Sequence, residues 1–410
     1  MARLLVRDLA QLATPAGRDA PLRGAALGTV DVIEDAWVLI DGSTIVEVGG
    51  GGTPHTLDGD VEEVDGRGLC AVPGLVDCHT HPAFGGDRVE EFALRASGAG
   101  YEQLHEAGGG ILSTVRATRA LGPAGLDAAV ARHARWMLGH GTTTWEGKSG
   151  YGLDVDAELA SLSAIAAAGG VPTWLGAHAV PPEYASADAY LDSILADVLP
   201  AAAGTAAAAD VFLERGAFDV EQARRYLLAC RAAGLELRLH GDQFTESGAV
   251  PLAIELGARS IDHLEATGSD GVRALASSSV TGVILPASAL FLGRPQAPAR
   301  ALVDAGAAVA LATDFNPGSS FTTSLPLVCS LAATQLILSP AEALSCVTVN
   351  AAHVLGCAHD RGRLAPGCRA DLVLLDAPDW RYLAYHLAGD VIAAVIRDGR
   401  IAHRREMVDR

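Results

Sequence analysis

Val72-Pro-Gly-Leu-Val-Asp-Cys-His-Thr-His81 decides how the rest of the chain is read. Ala71 to Val76 is short and apolar, carries β-branched residues and contains Pro73-Gly74, which predicts a buried strand rather than a helix. Residues two apart on a strand share a face, so His79 and His81 project together from its C-terminal end. Two such imidazoles can hold one metal ion. A bare H-x-H is also an ordinary pair of polar residues at a loop edge, so the reading turns on what stands at the ends of other strands.

Working outward, apolar β-type runs alternate with Ala/Leu/Arg/Glu helical stretches from residue 71 to 362. The candidate strands are Ala71–Asp77, Thr142–Lys148, Pro172–His178, Asp210–Glu214, Leu235–His240, Ser260–His263, Thr281–Pro286 and Ala308–Asp314. Helical patterns such as Leu126–Leu138, Glu158–Ala168, Val220–Ala233 and Val250–Leu256 separate them. This alternation predicts an α/β fold, a (β/α)8 TIM-like barrel of parallel strands. Residues 1–70 and 363–410 instead read as short strands with Asp41-Gly42 and Asp398-Gly399 turns. Neither end can bury a core alone, so the two are expected to form one small composite β-sandwich beside the barrel. The alanine-rich Ala201–Ala209 is expected to cover a helix end and a loop.

Composition narrows the function classes. The 410 residues are 50% hydrophobic and 19% charged, ample for a large core. A net charge of −19 argues against nucleic acid and anionic membranes as partners, and an anionic small-molecule substrate would need local cations. The seven cysteines are scattered without a C-x-x-C, which fits a reducing, cytoplasmic setting. The N-terminus lacks the pattern of a signal peptide, and Gly, Pro, Ser or charges interrupt every apolar stretch before membrane-spanning length. Nothing in the sequence fixes the oligomer, with a homodimer left open.

In such barrels the reactive groups stand at the C-terminal ends of strands. The predicted strand ends carry His79 and His81, then His178, His240, His263 and Asp314. Three histidines and one carboxylate suit a single divalent metal, Zn or Fe, with water completing the shell. His263 and Asp314 could then take the proton of that water and pass it to a leaving nitrogen. A two-metal version generally needs a bridging carboxylate, often a carboxylated lysine, after the fourth strand. Here Glu214 stands there and Lys148 lies after the second strand, so one metal is expected.

Pro73-Gly-Leu-Val-Asp-Cys-His-Thr-His81 and the composite sandwich resemble the amidohydrolase superfamily. Within it, further motifs resemble the imidazolonepropionase family. They are Gly85-Gly-Asp-Arg88 with Glu91-Phe92, Gly108-Gly-Gly-Ile-Leu-Ser-Thr-Val-Arg-Ala-Thr-Arg119, Gly141-Thr-Thr-Thr144, Lys148-Ser-Gly-Tyr-Gly152, Leu175-Gly-Ala-His178 and Ala312-Thr-Asp-Phe-Asn-Pro-Gly-Ser-Ser320. The resemblance implies opening of 4-imidazolone-5-propanoate by water to N-formimidoyl-L-glutamate in histidine breakdown. It also implies that His79, His81, His240 and Asp314 bind the metal and that His263 is the catalytic histidine. Arg88, Tyr151, His178, Asn316, Gly318 and Ser319 would contact the substrate.

Each implied role has a chemical basis. Arg88 offers a guanidinium fork for the propionate. His178 can donate to a ring carbonyl, and the Asn316–Ser319 turn has N–H groups suited to a carboxylate. The chain departs from the family after its fifth strand. Many relatives have H-x-D-E, whereas this run is His240-Gly-Asp-Gln243. Gln243 can hydrogen-bond a substrate ring but cannot accept a proton. That change motivates the alternative of a related cyclic amidohydrolase or amidine deaminase acting on another five-membered ring.

Overall fold

The computed structural model describes residues 3–17, 19–52, 54, 60–98 and 110–406. Gly108 and Gly109 of the glycine-rich motif lie outside them. The chain opens with a long strand, β1 (Arg3–Pro15), paired antiparallel with β2 (Val30–Asp41). β2 turns through Gly42, at φ 59°, into β3 (Thr44–Gly50). The other edge of β1 takes two parallel partners in succession, β4 (Val61–Asp65) and then β5 (Cys70–Pro73). Between those two stretches of β1 the register to β2 breaks, from Val6 to Leu9, and Asp8 takes a left-handed φ of 58°.

β5 also pairs with β14 (Leu372–Leu375), which leads into β15 (Ile392–Arg397) and β16 (Arg400–Arg404). The β5–β14 ladder is therefore where the two chain ends meet. Asp398 and Gly399, at φ 55° and 70°, form the two-residue turn that Asp-Gly favours. Leu4, Val6, Leu9 and Leu12 share one core with Val38, Ile40, Leu372, Leu374 and Ile396. The composite module expected from the two chain ends is thus one mixed eight-stranded sheet with its own core.

The expected strand Ala71–Asp77 divides at Gly74. Cys70–Pro73 stays with the terminal sheet, and Leu75–Asp77, β6, opens the barrel. The Gly74 N–H bonds Asp371 O at 2.8 Å, whereas the next one, on Leu75, reaches Gly141 O across in the barrel at 3.1 Å. A Cβ on Gly74 would collide with Thr143, so the crossing point requires glycine.

The barrel continues through β7 (Thr142–Lys148), β8 (Val171–Ala177), β9 (Ala208–Leu213), β10 (Glu236–Gly241), β11 (Ser260–His263), β12 (Thr281–Ile284) and β13 (Ala308–Leu311). β6 to β13 lie in sequence order in one eight-stranded parallel sheet. The seam between β13 and β6 is laced just past the strand ends. Asp314 N–H bonds His79 O at 3.0 Å and His81 N–H bonds Phe315 O at 2.8 Å. The lacing ties together the backbones of three residues expected to bind metal. Deeper in the seam, Val76 N–H is taken by Val347 O at 2.8 Å. The alanine run carries the end of a helix at Leu199–Ala202 and the start of β9 at Ala208. No helix among the described residues is long and apolar enough to cross a membrane.

The helix expected at Leu126–Leu138 is the second half of Ile111–Gly139, which breaks at Gly122 (φ 64°, ψ 178°) just before Pro123. His133 on that half is 1% exposed. It stacks on Phe84 at 4.6 Å and donates from Nδ1 to Pro82 O at 2.8 Å. Burial pushes its pKa down from 6.5 to about 4. An unfolded chain therefore takes up a proton below pH 6.5 that the folded one refuses. Stability present above pH 6.5 is lost toward pH 4, by on the order of 3 kcal/mol for this group. His133→Phe keeps the stacking and is expected to flatten the acid limb when urea midpoints are compared at pH 7.5 and pH 5. An acid limb as steep as the wild type's would assign the loss to other groups.

Candidate active site and metal centre

His79 and His81 leave β6, His240 ends the apolar run of β10, and Asp314 follows β13. All four are at most 3% exposed. The Nε2 atoms of His79 and His81 are 3.2 Å apart, and those of His240 and His81 are 3.3 Å apart. Asp314 Oδ1 lies 3.5 Å from His79 Nε2 and 3.4 Å from His81 Nε2. His263 joins the same cluster, its ring centroid 5.8 Å from that of His79 and 5.4 Å from that of His240. Backbone strain marks these positions. His263 and Leu264 sit at φ 85° and 71°, and Asp314 at 53°.

The atoms behind the ligands decide what the cluster can hold. His79 Nδ1 is 2.6 Å from Asp262 Oδ2, and His240 Nδ1 is 3.0 Å from Asp210 Oδ1. A carboxylate oxygen takes the N–H in each case, which leaves both Nε2 lone pairs facing the centre. Beneath them lies a buried charge layer. Lys148 Nζ is 2.7 Å from Asp210, 2.9 Å from Glu146 and 3.6 Å from Asp262, and Arg238 grips Glu146 from the far side. With the histidines neutral, the carboxylates of Glu146, Asp210, Asp262 and Asp314 exceed the cations Lys148 and Arg238 by two charges. Converging lone pairs over a double negative charge fit a divalent cation.

A cavity of about 530 Å³ opens above the cluster. All the residues expected to contact substrate line it: Arg88, Tyr151, His178, Gln243, Asn316, Gly318 and Ser319. Arg95 and Arg294 line it as well, so a protein of net charge −19 gathers three arginines around one cavity, against Glu91. Arg294 lies over the Phe244 ring at 5.2 Å and Arg95 over Phe291 at 5.1 Å.

Three details differ from what the sequence suggests. The Arg88 fork is already engaged, Nε at 2.9 Å and Nη2 at 2.6 Å from the Glu91 carboxylate, which leaves Nη1 for a ligand. Gly318 supports that guanidinium, since a Cβ there would collide with it. The Gly318 and Ser319 N–H groups both donate to Asn316 Oδ1 at 2.8 Å, so the turn satisfies its own donors instead of presenting them to a carboxylate. His178 Nδ1 donates to Gly150 O at 2.9 Å, and burial, then the nearby His240, push its pKa down to about 4. A neutral ring protonated at Nδ1 has only an acceptor left at Nε2, suited to a substrate N–H rather than to a carbonyl.

The sequence reading missed several supporting residues. Glu158, 1% exposed, accepts from the N–H groups of Gly150, Gly152 and Leu153 at 2.9–3.2 Å and so shapes the Tyr151 loop. Glu265 faces His263 Nδ1 at 3.4 Å. Asp210, Asp262, Glu146 and Arg238 were visible only as charges inside otherwise apolar strands. Glu214, the alternative second-site ligand, accepts from Arg215 N–H and Phe244 N–H at 2.8 Å and from Thr245. It clamps the loop after β10 and belongs to neither ligand cluster found among the described residues.

Known proteins resemble this chain in sequence and in fold. A model of the amidohydrolase family matches residues 93–403. The chain is 60% identical over 405 residues to the imidazolonepropionase of Rubrobacter xylanophilus, covering 97% of both proteins. It is 47% identical over 422 residues to that of Chloroflexus aggregans, covering 98% of this chain and 99% of the relative. Among solved structures, an adenosine deaminase from Xanthomonas campestris with bound Zn has a TM-score of 0.72 at 20% identity, covering 100% of this chain and 95% of the other. E. coli guanine deaminase has a TM-score of 0.69 at 17% identity, covering 99% and 100%. Those two share the fold. The near full-length identity to curated relatives goes further: the chain belongs to the imidazolonepropionase family of the amidohydrolases.

Proposed function

We propose that this chain hydrolyses 4-imidazolone-5-propanoate to N-formimidoyl-L-glutamate in histidine breakdown, using one divalent ion, Zn or Fe. The observation that carries the reading is the stacking of two features. A buried cluster of His79, His81, His240 and Asp314 lies at the floor of a cavity whose wall bears Arg88, Arg95 and Arg294. When bound, a divalent ion supplies Lewis acidity and brings a coordinated water's pKa toward neutrality.

The chain's own residues do the rest. Arg88 Nη1 holds the propionate beside the Asn316–Ser319 turn, and Tyr151 flanks the ring. His178 Nε2 accepts a ring N–H. Water attacks the ring carbonyl carbon, the carbon–nitrogen bond opens, and Asp314 and His263 carry the water's proton to the departing nitrogen. One metal per chain fits the engagement of Glu214 with the β10 loop. It also fits Lys148, whose ammonium lies among three carboxylates, where carboxylation would add a fourth negative charge. A cytoplasmic location fits seven buried free thiols, and the acidic surface speaks against nucleic acid as a partner.

The test is an ultraviolet ring-opening assay on enzymatically made imidazolonepropanoate together with metal analysis, run beside hydantoins and guanine. Turnover of one of those rings without turnover of the imidazolone would overturn the reading in favour of another cyclic amidohydrolase or a deaminase. For the substrate anion, Arg88→Ala is expected to lose about 30- to 1000-fold in kcat/KM, or about 2–4 kcal/mol, with its metal retained. Wild-type kinetics in that variant would place the carboxylate elsewhere, with Arg294 the next candidate.

A further inference from the structure

We infer that Lys148 is a positioning residue for the metal centre: its ammonium links the two carboxylates, Asp210 and Asp262, that orient His240 and His79 from behind. The inference rests on the metal-centre reading above. Lys148 ends β7, is 0% exposed and lies outside the cavity lining, so it touches neither solvent nor a bound ring. Its Nζ donates to Asp210 Oδ2 at 2.7 Å, to Glu146 at 2.9 Å and stands 3.6 Å from Asp262 Oδ2.

Asp210 turns its other oxygen to His240, taking the backbone N–H at 3.1 Å and ring Nδ1 at 3.0 Å. Asp262 Oδ2 takes His79 Nδ1 at 2.6 Å. One head group therefore hydrogen-bonds the partner of the β10 ligand and stands in ion-pair range of the partner of the ligand beyond β6. Glu146, itself held by Arg238 and by Thr173 Oγ1 at 2.6 Å, anchors the lysine in the barrel interior.

The sign of one measurement separates positioning from plain electrostatics. A buried positive charge just behind the ligands repels a cation, so on charge alone its removal should tighten metal binding. If Lys148 instead holds the carboxylates in place, removal frees both, the imidazoles lose their fixed tautomer and aim, and binding weakens. Loss of such outer partners typically costs about 10- to 100-fold in metal affinity.

The experiment measures Zn dissociation constants by chelator competition for the full chain, with circular dichroism of the metal-free forms as the folding check. Lys148→Met is expected to bind Zn roughly 10- to 100-fold more weakly than wild type while keeping its secondary structure. Unchanged or tighter binding overturns the inference. If Lys148→Met does not fold, the charge-balanced Lys148→Met/Asp210→Asn variant is compared with Asp210→Asn alone. Weaker binding in the double variant supports the tether to Asp262, and equal or tighter binding overturns it. A wild type without tight Zn binding defeats the metal-centre reading itself, an outcome distinct from either.

Discussion

His240→Ala is expected to lose the bound metal and, with it, roughly 10³-fold or more in turnover, since Lewis-acid activation is worth several kcal/mol. The geometry leaves no substitute. His79 and His81 both come from the end of β6, and Asp314 reaches them from across the seam. His240 would be the ligand from the opposite wall, and its Nε2 lies 3.3 Å from that of His81. His263 is the nearest other imidazole, but it is the group assigned to proton transfer, so drawing it into the vacated place would itself cost turnover. Removing His240 also strips Asp210 of its imidazole partner. Asp210 then keeps Lys148 at 2.7 Å, which limits the structural damage and makes metal content a clean readout. The measurement is metal per chain by plasma emission, beside ring-opening turnover. A full metal complement in His240→Ala would show that the ligand set is wrong. Two tightly bound metals in the wild type, the second dependent on Glu214, would defeat the one-metal reading.

How much of this was legible beforehand depends on the range of the interactions. The H-x-H pair and the histidines at strand ends follow from the two-residue period of a strand and the polarity of a parallel barrel, both local rules. The Gly74 crossing was not legible, because a strand that changes sheets midway looks like one apolar run. What splits it is an accepting carbonyl on Asp371, far along the chain. The charge layer had a signal that went unused. Glu146 and Lys148, like Arg238 and His240, stand two apart inside β strands, so each pair shares a face, and a parallel barrel leaves inward faces no solvent. Charges there imply partners on neighbouring strands. The identity of those partners, Asp210 and Asp262, needs the register of β9 to β11 and could not come from one strand alone. Side-chain closure was the hardest to foresee. Asn316-Pro-Gly-Ser reads as a nest of free N–H groups, yet its own asparagine fills the nest.

His263→Ala is expected to lose at least about 100-fold in kcat while retaining its metal, and Gln243→Ala to act mainly on KM. Gln243 stands where many relatives have Glu; its amide can hydrogen-bond a ring but cannot shuttle a proton. The attacking water must nevertheless lose a proton and the departing ring nitrogen must gain one. His178 is a poor shuttle in this setting, since its Nδ1 proton is bound to Gly150 O and burial keeps the ring neutral. Tyr151 is worse, its hydroxyl pushed up by burial. Asp314 and His263 remain, both lining the cavity beside the cluster. Asp314 is held well below the usual carboxylate range, against the pull of burial, by the imidazoles of His79 and His81 beside it, which makes it a weak base on its own. His263, with Glu265 behind its Nδ1, is the group able both to receive the proton and to return it to nitrogen. General acid–base help is typically worth about 10²–10⁴-fold, which sets the expected loss. Gln243→Glu should stay active, because a glutamate there can make the same contact to the ring. The decisive comparison is kcat and KM for His263→Ala against Gln243→Ala, each at matched metal content. A histidine variant with near-normal kcat beside a glutamine variant that has lost it would reverse the two roles and place the proton path on the β10 side of the cavity.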